Sequence, residues 1–229
     1  MKTCFIVSAA LLLSASVQAT EVSGTIGFTN DYRFHGISQS SGDPAVQGSL
    51  DAAFDNGVYV GAWGSNVDFG DGDDAHLEID WYAGYGAEIN DDMSWDATVY
   101  YYTYPGYSFN GEYAEIAVNL YYGDLTLGYA YANDYFNLSE TGQYVGLDYS
   151  MSVTEEVSLD LHAGHSFGSY WTDLDIGAYS DFSVGLSGSV AGLDLAAAYQ
   201  FNDIDAGMDV DSGAFRNDDT VVVSVSRSF

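Results

Sequence analysis

The chain has 229 residues, with 26 Gly, 2 Pro, 20 Tyr, 12 Phe and 4 Trp, and it sets 34 Asp+Glu against 4 Lys+Arg for a net charge of -30. That balance excludes nucleic acid as a partner, because a phosphate backbone needs a Lys/Arg footprint, and it argues against peripheral attachment to an anionic membrane surface. The aromatic content argues against a disordered chain, the length fits one all-β domain or a barrel, and the charge favours cations.

The first 19 residues read as a secretory signal peptide. Met1-Lys2 supplies the positive start, Phe5 to Val17 the apolar stretch, and Val17-Gln18-Ala19 a small-residue cleavage site. That apolar stretch is too short to span a bilayer as a helix. The mature chain is expected to begin at Thr20 or Glu21, with residues 20–229 forming one domain. Cys4, the single cysteine, falls in the signal, so neither a disulfide nor thiol chemistry is expected in the mature protein.

Beyond the signal the pattern is alternation with a period of two. The first strand is predicted over residues 22–34, with Val22, Ile26 and Phe28 opposite Ser23, Thr25 and Thr29. Val46, Leu50 and Phe54 alternate with Gln47, Ser49 and Asp51, and Asp55-Asn56-Gly57 is a tight-turn signal. The strand over residues 58–69 is ambiguous in facing, because Tyr59, Trp63 and Val67 compete with Val58, Val60 and Ala62. The clearest strand puts Leu77, Ile79, Trp81, Ala83, Tyr85, Ala87 and Ile89 outward. Its other row is His76, Glu78, Asp80, Tyr82, Gly84, Gly86 and Glu88. Similar rows run through residues 95–102, 113–120, 125–131, 145–151, 157–163, 182–190 and 193–201. The last strand sets Val221, Val223, Val225 and Phe229 against Ser224, Ser226 and Ser228.

The predicted strands number twelve. Tight turns follow the even strands. Longer polar connections follow the odd ones, at residues 36–44, 70–75, 105–111, 133–141, 168–180 and 203–217. An even strand count with short turns on one rim and long loops on the other is the layout of a transmembrane antiparallel up-and-down β-barrel of the outer membrane. Ten residues at ~3.3 Å each, tilted by about 40°, rise about 25 Å, the height of that membrane's apolar band. Tyr and Trp near strand ends suit its aromatic girdles. A secreted β-sandwich is the competing architecture, but its outer faces would be polar. Pairing of the last strand with the first would leave no open edge. Arg227 interrupts the apolar row, and near a strand end it can snorkel.

Three segments carry a family resemblance. Asp31-Tyr-Arg-Phe-His-Gly-Ile-Ser-Gln-Ser40, Asp43-Pro-Ala-Val-Gln-Gly48 and Gly61-Ala-Trp-Gly-Ser-Asn-Val-Asp-Phe69 resemble the TorF-type porin family of proteobacteria, and Glu78-Ile-Asp80 fits the same pattern. The resemblance covers the first ~90 residues, about the reach of three or four strands. It implies an outer-membrane β-barrel acting as a porin and supplies no substrate.

In a barrel the wet row of each strand lines the lumen. The lumen-lining candidates are Asp51, Glu78, Asp80, Glu88, Asp96, Glu115, Asp148, Asp160 and Asp194, with Arg33 the one basic residue near them. One sign of charge on low-dielectric walls concentrates cations and repels anions. The expectation is a passive, cation-preferring diffusion channel for small hydrophilic solutes or cations. A plugged barrel is the alternative, since twelve strands lie between filled eight-stranded barrels and open porins. Gly84, Gly86, Ala117, Gly128 and Gly164 on the wet rows would leave room. Residues 168–180 and 203–217, the longest connections, are the candidates to fold inward. Arg33 serves equally as a constriction charge or as the neutraliser of Asp31, two positions away.

Enzyme chemistry finds little support. Asp160 and His162 share a strand face, yet His162 falls mid-strand with nothing to place it beside Glu78. No nucleophile motif, P-loop or dinucleotide fingerprint is present, and no cofactor is expected. His162 and His165 lie on opposite faces and cannot share a metal. Asp68, Asp71, Asp73 and Asp74, with Asp203/Asp205 and Asp209/Asp211, offer hard oxygens for Ca²⁺ or Mg²⁺ but lack EF-hand spacing. Solvated acidic loops are the favoured reading, with divalent bridges to lipopolysaccharide phosphate as the alternative. Asn137-Leu-Ser139 matches a glycosylation sequon. The expected partners are outer-membrane lipid and lipopolysaccharide. The rival to the channel is a non-conducting barrel whose acidic loops serve adhesion or envelope structure. Oligomeric state stays open, because a lipid-facing row and a subunit contact have the same composition.

Overall fold

Alternating side chains need a sheet with two different environments, and a sheet closed on itself supplies them without an open edge. The computed structural model describes residues 21–70, 74–174, 176–205 and 216–229. The expected signal peptide lies outside the described residues, as do Asp71, Asp73, Asp209 and Asp211. The elements in order are β1 (Glu21–Thr29), β2 (Arg33–Phe34), β3 (Ile37–Ser38), β4 (Ala45–Ala53), β5 (Val58–Ser65), β6 (Glu78–Asn90) and β7 (Met93–Thr103). There follow β8 (Tyr113–Tyr122), β9 (Leu125–Ala132), β10 (Gly142–Ser152), β11 (Val157–Phe167), a short helix α1 (Ser169–Asp173), β12 (Tyr179–Val190), β13 (Leu193–Asn202) and β14 (Thr220–Ser228).

Twelve of the strands form one closed antiparallel barrel in the order β1-β14-β13-β12-β11-β10-β9-β8-β7-β6-β5-β4, and β2-β3 is a separate two-stranded hairpin. The all-β barrel is therefore the fold that the alternation predicts. β1 meets β14 with Phe28 opposite Val225 and Thr25 opposite Ser228. Gly24 and Phe229 then exchange two backbone hydrogen bonds of 3.0 Å.

The register propagates one parity around the whole ring. Val22, Ile26, Leu50, Val60, Trp81, Val99, Ile116, Leu127, Leu147, Val184, Leu195 and Val223 all point outward and are exposed. Exposed Trp81, Tyr85, Tyr101, Tyr122 and Tyr199 add aromatic rings to this outer belt. Arg227 lies on the outer face opposite Ile26. β5 resolves its ambiguity: Tyr59 and Trp63 pair with the inward Gly84 and Asp80, so Val58, Val60 and Ala62 face out. Aromatic rings on the inner row and aliphatic side chains on the outer one had blurred that strand.

The rims differ. Short turns join β4 to β5, β6 to β7, β8 to β9, β10 to β11 and β12 to β13, and longer connections fill the opposite rim. Most of the buried apolar residues gather at that long-loop rim, among them Ile37, Val67, Phe69, Tyr104, Tyr113, Tyr135, Trp171 and Tyr179.

The expected first strand over residues 22–34 is corrected. β1 ends at Thr29, and Arg33-Phe34 pairs back on Ile37-Ser38. His35 (φ +48°) and Gly36 (φ +78°) take two successive left-handed positions, the geometry of a tight hairpin turn. This hairpin runs across the lumen, in contact with strands on both sides. The two longest connections, expected to fold inward, each send a residue into the packed cluster, Trp171 on α1 from 168–180 and Ile204 from 203–217, while residues 175 and 206–215 lie outside the described residues.

Candidate functional site in the barrel lumen

The inner row of each strand builds the lumen wall. Asp51, Glu78, Asp80, Glu88, Asp96, Glu115, Asp148, Asp160 and Asp194 all carry the inward parity. Their surroundings split by depth. Glu78, Asp80 and Glu115 sit at the long-loop end and are 4%, 8% and 5% exposed. Glu88, Asp148 and Asp194, toward the turn rim, are exposed on the same face, and Asp51, Asp96 and Asp160 are half-buried. One end of the barrel is packed and the other is wet.

The hairpin explains the split. Tyr32 packs edge-on against Trp63 of β5 at 5.3 Å. Phe34 meets Tyr102 of β7 at 6.3 Å. His35 stacks on Tyr144 of β10 at 3.4 Å. Tyr179 of β12 donates its hydroxyl to the His35 carbonyl at 2.9 Å. The hairpin thus spans from one wall to the other. Arg33 is not a wall residue. Its Nε donates to Asp31 Oδ2 at 2.6 Å and its Nη1 to the Gly36 carbonyl at 3.1 Å, so its charge is spent inside the hairpin. Ser38 donates to the other Asp31 oxygen at 2.6 Å.

Two polar networks line the wall. Under the hairpin, His162 Nδ1 lies 2.6 Å from Asp148 Oδ1, and its Nε2 lies 3.1 Å from Asp181 Oδ1 and 2.8 Å from the Tyr144 hydroxyl. We assign a proton to Nδ1, which faces only the carboxylate. Asp160, the neighbour that sequence pairs with His162, instead accepts from Ser150 at 2.6 Å. Asp181 and Tyr144 went unnoticed in the sequence, although the parity of β12 and β10 points both inward. Toward the turn rim, Tyr59, Thr98, Asn119 and Tyr121 converge on Asp96, and Tyr82 donates to Asp51.

Several wall glycines do not leave the room expected of them. A Cβ on Gly84 would strike the Tyr59 ring, one on Gly61 the Tyr82 ring at 2.5 Å, and one on Gly164 the Tyr144 hydroxyl. These glycines are slots in which tyrosine rings lie flat against the wall. Gly86 differs, with only ordinary contacts at 3.6 and 3.7 Å.

The acidic loop residues are held by backbone donors. Asp68 accepts from the Gly70 amide at 2.8 Å, and Asp203 from the Ser180 amide at 2.5 Å. Asp74 accepts from the Ser108 amide at 2.8 Å, which holds its carboxyl below the usual range. Among the described residues no three His, Cys, Asp or Glu side chains converge to hold a metal.

A closed twelve-stranded barrel, apolar outside and acidic inside, defines the chain as a porin-like β-barrel protein. It belongs to the bacterial family of unknown function designated Gcw_chp, whose model matches residues 14–229. No curated protein matches it in sequence. Among solved structures, the NanC porin is 12% identical with a TM-score of 0.56, aligning 91% of this chain with 99% of that one. The KdgM porin is 12% identical with a TM-score of 0.53, over 91% of this chain and 98% of its own. An outer-membrane channel of Pseudomonas putida F1 is 13% identical with a TM-score of 0.50, over 91% and 95%. Likeness at this identity speaks for the fold.

Proposed function

We propose that the protein is an outer-membrane barrel of the porin type, a narrow and cation-preferring diffusion channel for small hydrophilic solutes or cations. The β2–β3 hairpin, seated against opposite walls at the long-loop end, would narrow the channel there. The observation that carries the proposal is the inner wall, where the nine expected carboxylates and Asp181 all point inward, while Arg33 is bound to Asp31 within the hairpin. Such a wall raises local cation concentration. The apolar outer belt supports lipid, with lipopolysaccharide at the long-loop rim, as its surroundings. Residues 1–19 would direct export as a cleaved signal, and residues 20–229 would form the inserted domain. Such a protein would be a porin of the TorF type and would carry no enzymatic activity.

The test is a planar bilayer under a salt gradient, with the intact protein beside a variant whose residues 31–43 are replaced by a short Gly-Ser linker. The variant is expected to give larger stepwise conductance with a cation-favouring reversal potential. Anion preference would overturn the acidic-wall mechanism. The packed mouth also favours a second reading, a non-conducting barrel with an adhesive or envelope-structural role. A linker variant that inserts folded yet never conducts would establish that reading instead.

A further inference from the structure

A cavity of about 290 Å³ opens in the aromatic cluster at the long-loop rim. Phe69, Tyr104, Tyr113, Phe136 and Trp171 form its walls, and Glu78 lies among the lining residues. The rings hold one another at fixed angles, Tyr104 stacked on Phe136 at 5.6 Å and Phe69 edge-on to Tyr104 at 5.5 Å. Phe109, Leu138 and Leu174, also lining residues, are exposed, so the cavity has a mouth.

Glu78 is 4% exposed, and only one of its two carboxyl oxygens has a hydrogen-bond partner. Oε1 accepts from the Tyr104 hydroxyl at 3.1 Å. Oε2 is buried without a hydrogen-bond partner, although Tyr32 also approaches this carboxyl. A buried acceptor left empty is costly and normally finds a donor. Asp80, two residues deeper on β6, leaves Oδ1 unpartnered as well. Among the described residues no basic side chain forms an ion pair with Glu78 or Asp80.

We propose that this cavity binds a small organic cation, an ammonium group carrying an aromatic or alkyl body. The ammonium N–H would satisfy Glu78 Oε2, and the body would fill the aromatic cup. Ring faces attract cations and apolar surface alike. A bare metal ion fits less well, since the acidic side chains do not converge as a cage and the walls are apolar. The size lies near the lower bound of small-ligand pockets, about 300 Å³. The site stands whether or not the barrel conducts.

The experiment is calorimetric titration of the detergent-purified protein with 2-phenylethylammonium, its neutral isostere 2-phenylethanol, and phenyltrimethylammonium, which has no N–H. The primary ammonium is expected to bind at least ten times more tightly than the other two. Glu78→Gln is expected to abolish that preference while leaving alcohol binding unchanged, which also reports that the cup is intact. Equal affinity for ammonium and alcohol in the unaltered protein, or an unchanged preference in Glu78→Gln, would overturn the proposal. Leu174→Trp, at the mouth, needs no change in the wall. It is expected to weaken the ammonium and the alcohol together, and unchanged binding of both would place them elsewhere and overturn the assignment.

Discussion

Gly164 and Gly86 are both inward glycines on the barrel wall, but only one holds a neighbour's ring system in place. A side chain on Gly164 would drive out the Tyr144 hydroxyl and loosen its contacts with His162 and Asp181. Gly164→Ala should therefore cost about 1–3 kcal/mol, the usual range for overpacking. Gly86→Ala meets only ordinary van der Waals contacts and should be neutral or slightly stabilising, through the reduced freedom of the unfolded chain. Urea unfolding of both variants checks this, and equal costs would refute the slot. His35 is the second case. Burial pushes its imidazole down to about 3, against the opposing pull of Asp181. The residue as a whole is half-buried, which moderates the effect. Because the neutral ring is the one that fits, the unfolded or released hairpin binds more protons between about 6.5 and 3. Hairpin docking is thus fully present above 6.5 and weakens as pH falls through that window. Conductance of single barrels should rise on acidification over this range. His35→Phe keeps the stacked ring and should remove that part of the rise.

At the level of the element, the strands were legible and the hairpin was not. Alternation is a local signal, and every barrel strand is long enough to show several periods of it. Where both rows are apolar, as with Val60 against Trp63, the period alone cannot choose a face. β2 and β3 pair through two residues each, too few to show any period. The contacts that seat them join residues far apart in the chain, Phe34 with Tyr102 and His35 with Tyr144. The site followed the same division. Parity put the carboxylates on the inner wall, but their burial depends on the hairpin, which parity does not encode. Arg33 was legible only as far as Asp31 lay two residues away. Tyr179→Phe tests the seating directly by deleting the bond to the His35 carbonyl. It should cost about 1 kcal/mol and make the hairpin more accessible to limited proteolysis. Unchanged cleavage would mean that ring stacking alone holds it.

For the whole molecule, the two faces of one sheet answer to different solvents. Leu147 points outward at mid-height on β10 between Leu127 and Ala163. Leu147→Arg should destabilise the barrel in lipid by about 2–4 kcal/mol, the cost of a cation at the bilayer midplane. Ala196→Ser, on the inner face opposite Ser187 and Ser224, should stay within about 0.5 kcal/mol. Reversible unfolding in bilayers measures both, and similar costs would argue against a lipid-facing belt. The same ring also shows why the mouth is the sensitive part. Strand pairing is closed everywhere, so access to the lumen changes most readily through the connections at the rim.

The seating of tyrosines in glycine slots has a consequence for how such a wall can change over generations. Tyr59 with Gly84, Tyr82 with Gly61 and Tyr144 with Gly164 are each one unit spread over two strands. Enlarging the glycine alone creates a clash, and shrinking the tyrosine alone opens a void and strands its hydrogen-bond partners. Descendant sequences are therefore expected to exchange the two positions together, through a costly intermediate, or to leave both untouched. Pairwise libraries at Tyr59 and Gly84 would reveal it as survivors in which a larger residue at 84 appears only beside a smaller one at 59.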